Sequence, residues 1–235
     1  MPQNRPSLPQ KHPNAPIGRV HVSIGRAKYT LEPNDLLALL RAAPSLREFI
    51  QTRLLNAVPW IFKGNVEAFR EWRRGITREA ALQEDAVFVV GSAAVGFSLS
   101  PMKPGRPFQV VGLARQASDI DIAIVDDRLF EQCWNTLVRY DRVRALGAFL
   151  ARPIPQTVEK MRLDVYWGTV SHSNAVPGTD EARRLRLLFA ATSRRPPFLG
   201  HEPRARVYRR LDDLISYHEA SLRQLVATLQ EGVVN

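Results

Sequence analysis

The chain has 235 residues, 45% of them hydrophobic and 24% charged, which is enough to bury a core without covalent staples and excludes wholesale disorder. Its single cysteine, Cys133, excludes an internal disulfide framework and a multi-cysteine zinc site, and it suits a reducing compartment. The formal net charge of +10 favours a polyanionic partner such as nucleic acid or nucleotide, although a GC-rich genome enriches arginine without any such partner.

Residues 1–19 carry Pro2, Pro6, Pro9, Pro13 and Pro16, three basic side chains and no acid, which predicts a flexible Pro-rich basic arm. No apolar run of a secretory signal occurs there. The longest uncharged stretch, Ala86 to Met102, falls short of the roughly 20 residues a membrane helix needs. The expected setting is therefore cytoplasmic, with no membrane partner.

Residues 20–85 read as an N-terminal helical segment. Leu36, Leu37, Leu39 and Leu40 form an apolar face closed by Pro44. Ser45 with Glu48 forms a capping box that opens a second helix through Phe49, Ile50, Leu54 and Leu55. A third helix is expected from Asn65 to Arg74, stopping at Gly75.

The periodicity changes over residues 86–170, the expected core. Ala86 to Val90 is a short apolar run ending in Gly91-Ser92 and predicts a buried strand. Ser118 to Val125 alternates and predicts a second strand, with Asp126 or Asp127 capping the helix that follows. Phe130, Cys133, Trp134 and Leu137 recur at helical spacing, which places Cys133 in a core stripe. Met161 to Trp167 alternates again and predicts a third strand.

Residues 171–235 read as a C-terminal basic helical segment, Thr179 to Ala190 and then about Arg204 to Val233. Val207, Leu211, Leu214, His218, Leu222, Leu225 and Leu229 make one stripe in the second helix, with His218 expected as a satisfied interhelical histidine. Apart from Lys11, Lys28, Lys63, Lys103 and Lys160, the 33 basic residues are arginine, whose planar fork grips phosphate with paired hydrogen bonds. The basic excess is carried mainly by the two flanks and least by residues 86–170.

Chemistry concentrates in that less basic centre. Asp119 and Asp121 stand two residues apart on a predicted strand, so their side chains leave one face while Ile120, Ile122 and Ile124 leave the other. Two carboxylates so close repel unless a cation lies between them. Magnesium suits that place, since it takes one or two carboxylates and completes its shell with water and phosphate oxygens. Asp164 joins the same face if its strand pairs beside the second one, and three carboxylates around two metal ions drive phosphoryl or nucleotidyl transfer. Gly91-Ser92, where a strand stops, supplies backbone N–H groups and a close approach for phosphate.

The sequence Val-Val-Gly91-Ser92, followed by Ser118-Asp-Ile-Asp-Ile122 and Leu163-Asp164-Val165, resembles the signature of the DNA polymerase beta-like nucleotidyltransferase superfamily. The resemblance covers roughly residues 86–170. It implies an α/β (α+β) fold, a small mixed-sheet nucleotidyltransferase core flanked by N-terminal and C-terminal helical segments. It implies that Gly91 and Ser92 hold the triphosphate and that Asp119 and Asp121 bind two Mg2+ ions, with Mn2+ as a substitute. Asp164 would ligate one ion and assist deprotonation of the acceptor hydroxyl. The implied reaction moves a nucleoside monophosphate from a nucleoside triphosphate to an acceptor hydroxyl and releases pyrophosphate.

Residues 93–118 form an insertion with Lys103, Arg106 and Arg115 and no acid. It must leave and re-enter beside the carboxylates, so two readings stand for Lys103 and Arg106: contact of one or the other with triphosphate or an acceptor backbone, or a solvated loop. Among acceptors the basic flanks favour RNA, specifically a tRNA end, and size and architecture also fit a bacterial toxin or defence enzyme. Alternatives are transfer to a protein, an antibiotic or a second nucleotide, a catalytically silent nucleotide- or RNA-binding module, and an interaction protein whose aspartates are structural. No Gly-x-Ser-x-Gly elbow, P-loop or Gly-x-Gly-x-x-Gly occurs, and the histidines lack metal-ligand spacing. Ser171 and His172 follow the predicted third strand closely enough to reach the site, with a loop role expected for the histidine.

Overall fold

The computed structural model describes residues 32–110, 117–146, 163–171, 180–194 and 196–234. The Pro-rich arm at residues 1–19, residues 111–116 of the insertion with Arg115, and Met161, Arg162, His172 and Thr179 lie outside the described residues.

Leucine spacing builds α1 (Pro33–Arg41) as expected, with Leu36, Leu37 and Leu40 buried along one side. Ser45 caps α2 (Leu46–Phe49), its hydroxyl accepting from the Glu48 N–H at 3.1 Å. A π-helical stretch, Ile50–Leu55, continues α2 and buries Ile50, Leu54 and Leu55. A short 3-10 turn follows at Trp60–Phe62, and α3 occupies Val66–Glu79, capped by the Asn65 carboxamide accepting from the Ala68 N–H at 3.0 Å. The expected stop at Gly75 does not occur. A glycine inside a helix costs about 1 kcal/mol relative to alanine, and the next residues, Ile76 and Thr77, offset it by entering the core.

The central region yields β1 (Val87–Val90), a single turn α4 (Ser92–Val95), β2 (Ile120–Val125) and α5 (Asp127–Leu146). Asp126 caps α5, its carboxylate accepting from the Leu129 N–H at 2.6 Å, and Cys133 is buried in the core stripe. The predicted third strand is not formed where it was expected. Residues 163–166 make a helical turn, α6, which buries Val165 and leaves Leu163, Tyr166 and Trp167 exposed. The chain then enters β3 (Thr169–Ser171) and α7 (Asp180–Thr192).

A second correction follows at the C-terminal side. The helix expected from about Arg204 begins only at Leu211, as α8 (Leu211–Val234), and Pro203–Tyr208 is instead a strand, β4. The four strands lie in the order β1-β2-β4-β3. β1 and β2 are antiparallel, β2 and β4 parallel, and β3 and β4 antiparallel. The sheet thus takes an inner strand from the segment expected to be only helical, and the fold is mixed α/β.

Alternation on the strands divides the core into two layers. Ile120, Ile122 and Ile124 of β2 join Val87, Val89, Ala205 and Val207 against α3, α5, Phe189 and Phe198. Ala123, Val90 and Tyr208 face the opposite layer, where α1, α2 and the π-helical stretch pack with Leu214, Ile215, Leu222, Leu225 and Leu229 of α8. An ion pair between Arg47 and Asp212 ties α2 to the start of α8. Among the described residues no helix is long and apolar enough to cross a membrane.

Candidate functional site

The face of the sheet that meets α8 is also the face on which Asp119 and Asp121 leave the chain. At the end where β1 stops and β2 and β4 begin, an open cleft of about 540 Å³ is lined by Gly91, Ser92, Asp119, Asp121, Arg204 and Arg206. Lys103 and Arg106 of the insertion form one side, and Tyr217, His218 and Ser221 of α8 another.

Gly91 and Asp121 are fitted to each other. Val90 pairs with Asp121 across the antiparallel ladder, so the next residue turns directly over the carboxylate. Gly91 does so at φ 64 and ψ −147, a conformation in which a side chain is strained. A Cβ there would lie 2.9 Å from Asp121 Oδ2. Ser92 follows as the first residue of α4, whose single turn closes with the Gly96 N–H donating to the Ser92 carbonyl at 2.8 Å.

Residues 96–109 of the insertion form a folded rim. The Ser98 N–H donates to the Arg106 carbonyl at 2.7 Å, the Gly105 N–H to the Ser98 carbonyl at 3.0 Å and the Phe108 N–H to the Gly96 carbonyl at 2.9 Å. Gln109 and Ser118 bond each other at its base. Phe108 packs between Trp60 at 5.6 Å and the His201 ring at 5.1 Å, and His201 Nδ1 bonds the Ser118 carbonyl at 2.7 Å. This scaffold brings Lys103 within electrostatic range of Asp121.

Asp121 keeps solvent contact on the cleft floor while protein atoms crowd it from below and beside. That burial raises its pKa, the neighbouring Asp119 charge raises it further, and Arg204, Arg206 and Lys103 pull it down. Asp119 is paired instead: Arg204 Nη1 lies 3.2 Å from its Oδ2, and Arg204 Nη2 lies 3.9 Å from Glu202.

Gly91, Ser92, Lys103, Arg106, Asp119 and Asp121 therefore converge on one cleft. Asp164 does not line it. On α6 rather than a strand, its Oδ2 is buried without a hydrogen-bond partner, and its charge is felt by Tyr208. Among the described residues no group of three His, Cys, Asp or Glu side chains is placed to hold a metal ion. The donor set present is the Asp119–Asp121 pair, which fits one magnesium ion completed by water and phosphate oxygens; the three-carboxylate set is not assembled.

Arg204, Arg206 and His218 are cleft residues that escaped the sequence reading of the site. Arg204 and Arg206 were placed on a helix, yet their alternation with Ala205 and Val207 was a strand signal. The Arg206 guanidinium lies over the Tyr217 ring, 4.6 Å from its centroid. His218 is not satisfied as expected, because its Nε2 is buried without a partner. Burial, and secondarily Arg206, hold its pKa down at about 4. Ser171, at the end of β3, lines the cleft, within reach of the site as its sequence position allowed.

Comparison of the chain with family models, curated proteins and solved structures yields no match.

Proposed function

We propose that this cleft binds a nucleoside triphosphate with a divalent cation and transfers its nucleoside monophosphate to an acceptor hydroxyl. The observation that carries the reading is the meeting of Gly91-Ser92 with Asp119 and Asp121 in one cleft whose other walls bear Lys103, Arg106, Arg204 and Arg206. Gly91, Ser92, Asp119 and Asp121 are the residues of the resemblance to the polymerase beta-like nucleotidyltransferases that meet there; its remaining residue, Asp164, does not line the cleft.

Asp119 and Asp121 would hold the cation, which when bound neutralises phosphate charge and polarises the reacting phosphorus. Gly91 lets a phosphate approach the backbone without a side chain in the way. Lys103, Arg106 and Arg206 face the charge that gathers on the phosphate oxygens in transfer, and cations already in position stabilise it most. The acceptor oxygen bonds to the α-phosphorus, the bond from that phosphorus to the bridging oxygen breaks, and pyrophosphate leaves. The hydroxyl proton is lost to solvent in the open cleft. RNA, with a tRNA end as its specific form, is the acceptor the basic flanks favour.

A second reading, a nucleotide-binding module without turnover, is favoured by Arg204 on Asp119 and by the absence of Asp164 from the cleft. One experiment separates the two. The protein is incubated with each α-labelled nucleoside triphosphate, Mg2+, total bacterial RNA and lysate protein, beside an Asp119→Asn/Asp121→Asn control. Label entering a tRNA-sized band, and lost in the control, supports transfer to RNA. Label in protein or a small molecule keeps the chemistry and changes the acceptor. Metal-dependent nucleotide binding with no label in any fraction favours the module.

A further inference from the structure

The strand beside β2 decides what stands next to the carboxylates. β4 runs parallel to it with Arg204 registered on Asp121, and registered residues of neighbouring strands share a face about 5 Å apart. An acid at that position would complete a three-carboxylate centre. The chain has an arginine there, and its guanidinium reaches back to Asp119 at 3.2 Å while half exposed to the cleft.

We infer that Arg204 is a standing cation of the carboxylate centre: it limits the Asp119–Asp121 pair to one divalent ion and serves as the second positive charge facing the ligand's phosphates. This rests on the nucleotide reading above. Two-ion centres hold their ions about 3.5–4 Å apart by carboxylates that bridge them. Here the bridging side would be taken by a group that cannot lose its charge, since a guanidinium stays protonated throughout the ordinary pH range. A second divalent ion would meet a cation where it needs an acid. The same guanidinium carries five N–H donors, and the Asp119 contact is made at Nη1. Its fork therefore suits a phosphate oxygen arriving with the first ion. In the protein without ligand Arg204 neutralises Asp119, and an incoming cation must compete with it for that carboxylate.

The test uses the full chain, with Mn2+ followed by electron paramagnetic resonance and α,β-methylene analogues of ATP, GTP, CTP and UTP as non-transferable ligands. One Mn2+ per analogue-bound chain is expected. Without analogue, Arg204→Gln should bind Mn2+ about two- to fivefold more tightly, the release expected of a half-exposed ion pair. The same variant should bind the analogue about tenfold more weakly through loss of a charged contact. Arg204→Lys, which keeps the charge but loses the fork, should bind Mn2+ near wild type and the analogue severalfold more weakly; if the glutamine variant melts early, wild-type analogue affinity in the lysine variant would overturn the inference. Two Mn2+ per analogue-bound chain would overturn the inference and leave nucleotide binding intact, as would Arg204→Gln with both affinities unchanged. A wild-type chain that binds neither Mn2+ nor any analogue would remove the nucleotide reading itself, and the role of Arg204 with it.

Discussion

Gly91 and Asp121 form a single fitting, because the turn can lie over the carboxylate only where no side chain intervenes. Gly91→Ala would place its Cβ 2.9 Å from Asp121 Oδ2 at a positive φ of 64. The expected loss is about 1–3 kcal/mol of unfolding free energy in urea titration, the range for such backbone strain; a wild-type value would mean that the turn relaxes freely. His218 belongs to the same scale. Its folded pKa is about 4 against an ordinary 6.5, so between those values the unfolded chain takes up a proton that the folded one refuses. Its contribution is complete above pH 6.5, is lost as pH falls toward about 4, and does not change further below. The loss is on the order of 3 kcal/mol. Urea unfolding at pH 7 and pH 4.5 should show His218→Gln less acid-sensitive than wild type; equal sensitivity would place the histidine in contact with solvent.

At the scale of elements, α3 runs through Gly75 because Ile76 and Thr77 are buried beyond it. Beyond its chain neighbours and the backbone of its own helix, no atom lies within 4 Å of where a Cβ would stand on Gly75, so Gly75→Ala should stabilise the protein by about 0.5–1 kcal/mol. A lower melting temperature in the variant would contradict this. Much of the architecture was legible in the sequence. The leucine face of α1, the Ser45 cap, the apolar run of β1 and the Asp-Ile-Asp alternation of β2 each carry a local signal that the fold obeys. The neighbour of β2 was not legible. Met161 to Trp167 and Pro203 to Tyr208 both alternate, and both compete for one place beside β2. Periodicity shows which segments can be strands but not which pair, since pairing is settled by packing across the whole sheet. The stripe from Val207 to Leu229 then masked the strand by extending the helical spacing backwards, although Asp212 and Asp213 mark the first turn of α8. The site inherits that ambiguity: Gly91, Ser92, Asp119 and Asp121 were readable from adjacent strands, whereas Arg204 depended on the pairing.

For the whole molecule, β4 joins parts distant in sequence. It pairs with β2 on one side and β3 on the other, and α8 closes the layer formed by α1 and α2. A chain ending at residue 200 would keep β1 and β2 but lose the inner strand, Arg204, Arg206 and the α8 wall of the cleft. It should unfold without a cooperative transition by circular dichroism, whereas a sharp transition would show that the first three strands form an independent unit. Such a topology also gives the site an order in time. The ribosome releases the chain from its N-terminus, so Asp119 and Asp121 emerge well before the arginine that accompanies them, and α1 emerges long before α8. A message cut short would yield a polypeptide bearing the acids without the cation or the wall. Assembly of the cleft therefore waits on synthesis through β4 and α8, since the segment made later brings the arginines and the wall to acids already made.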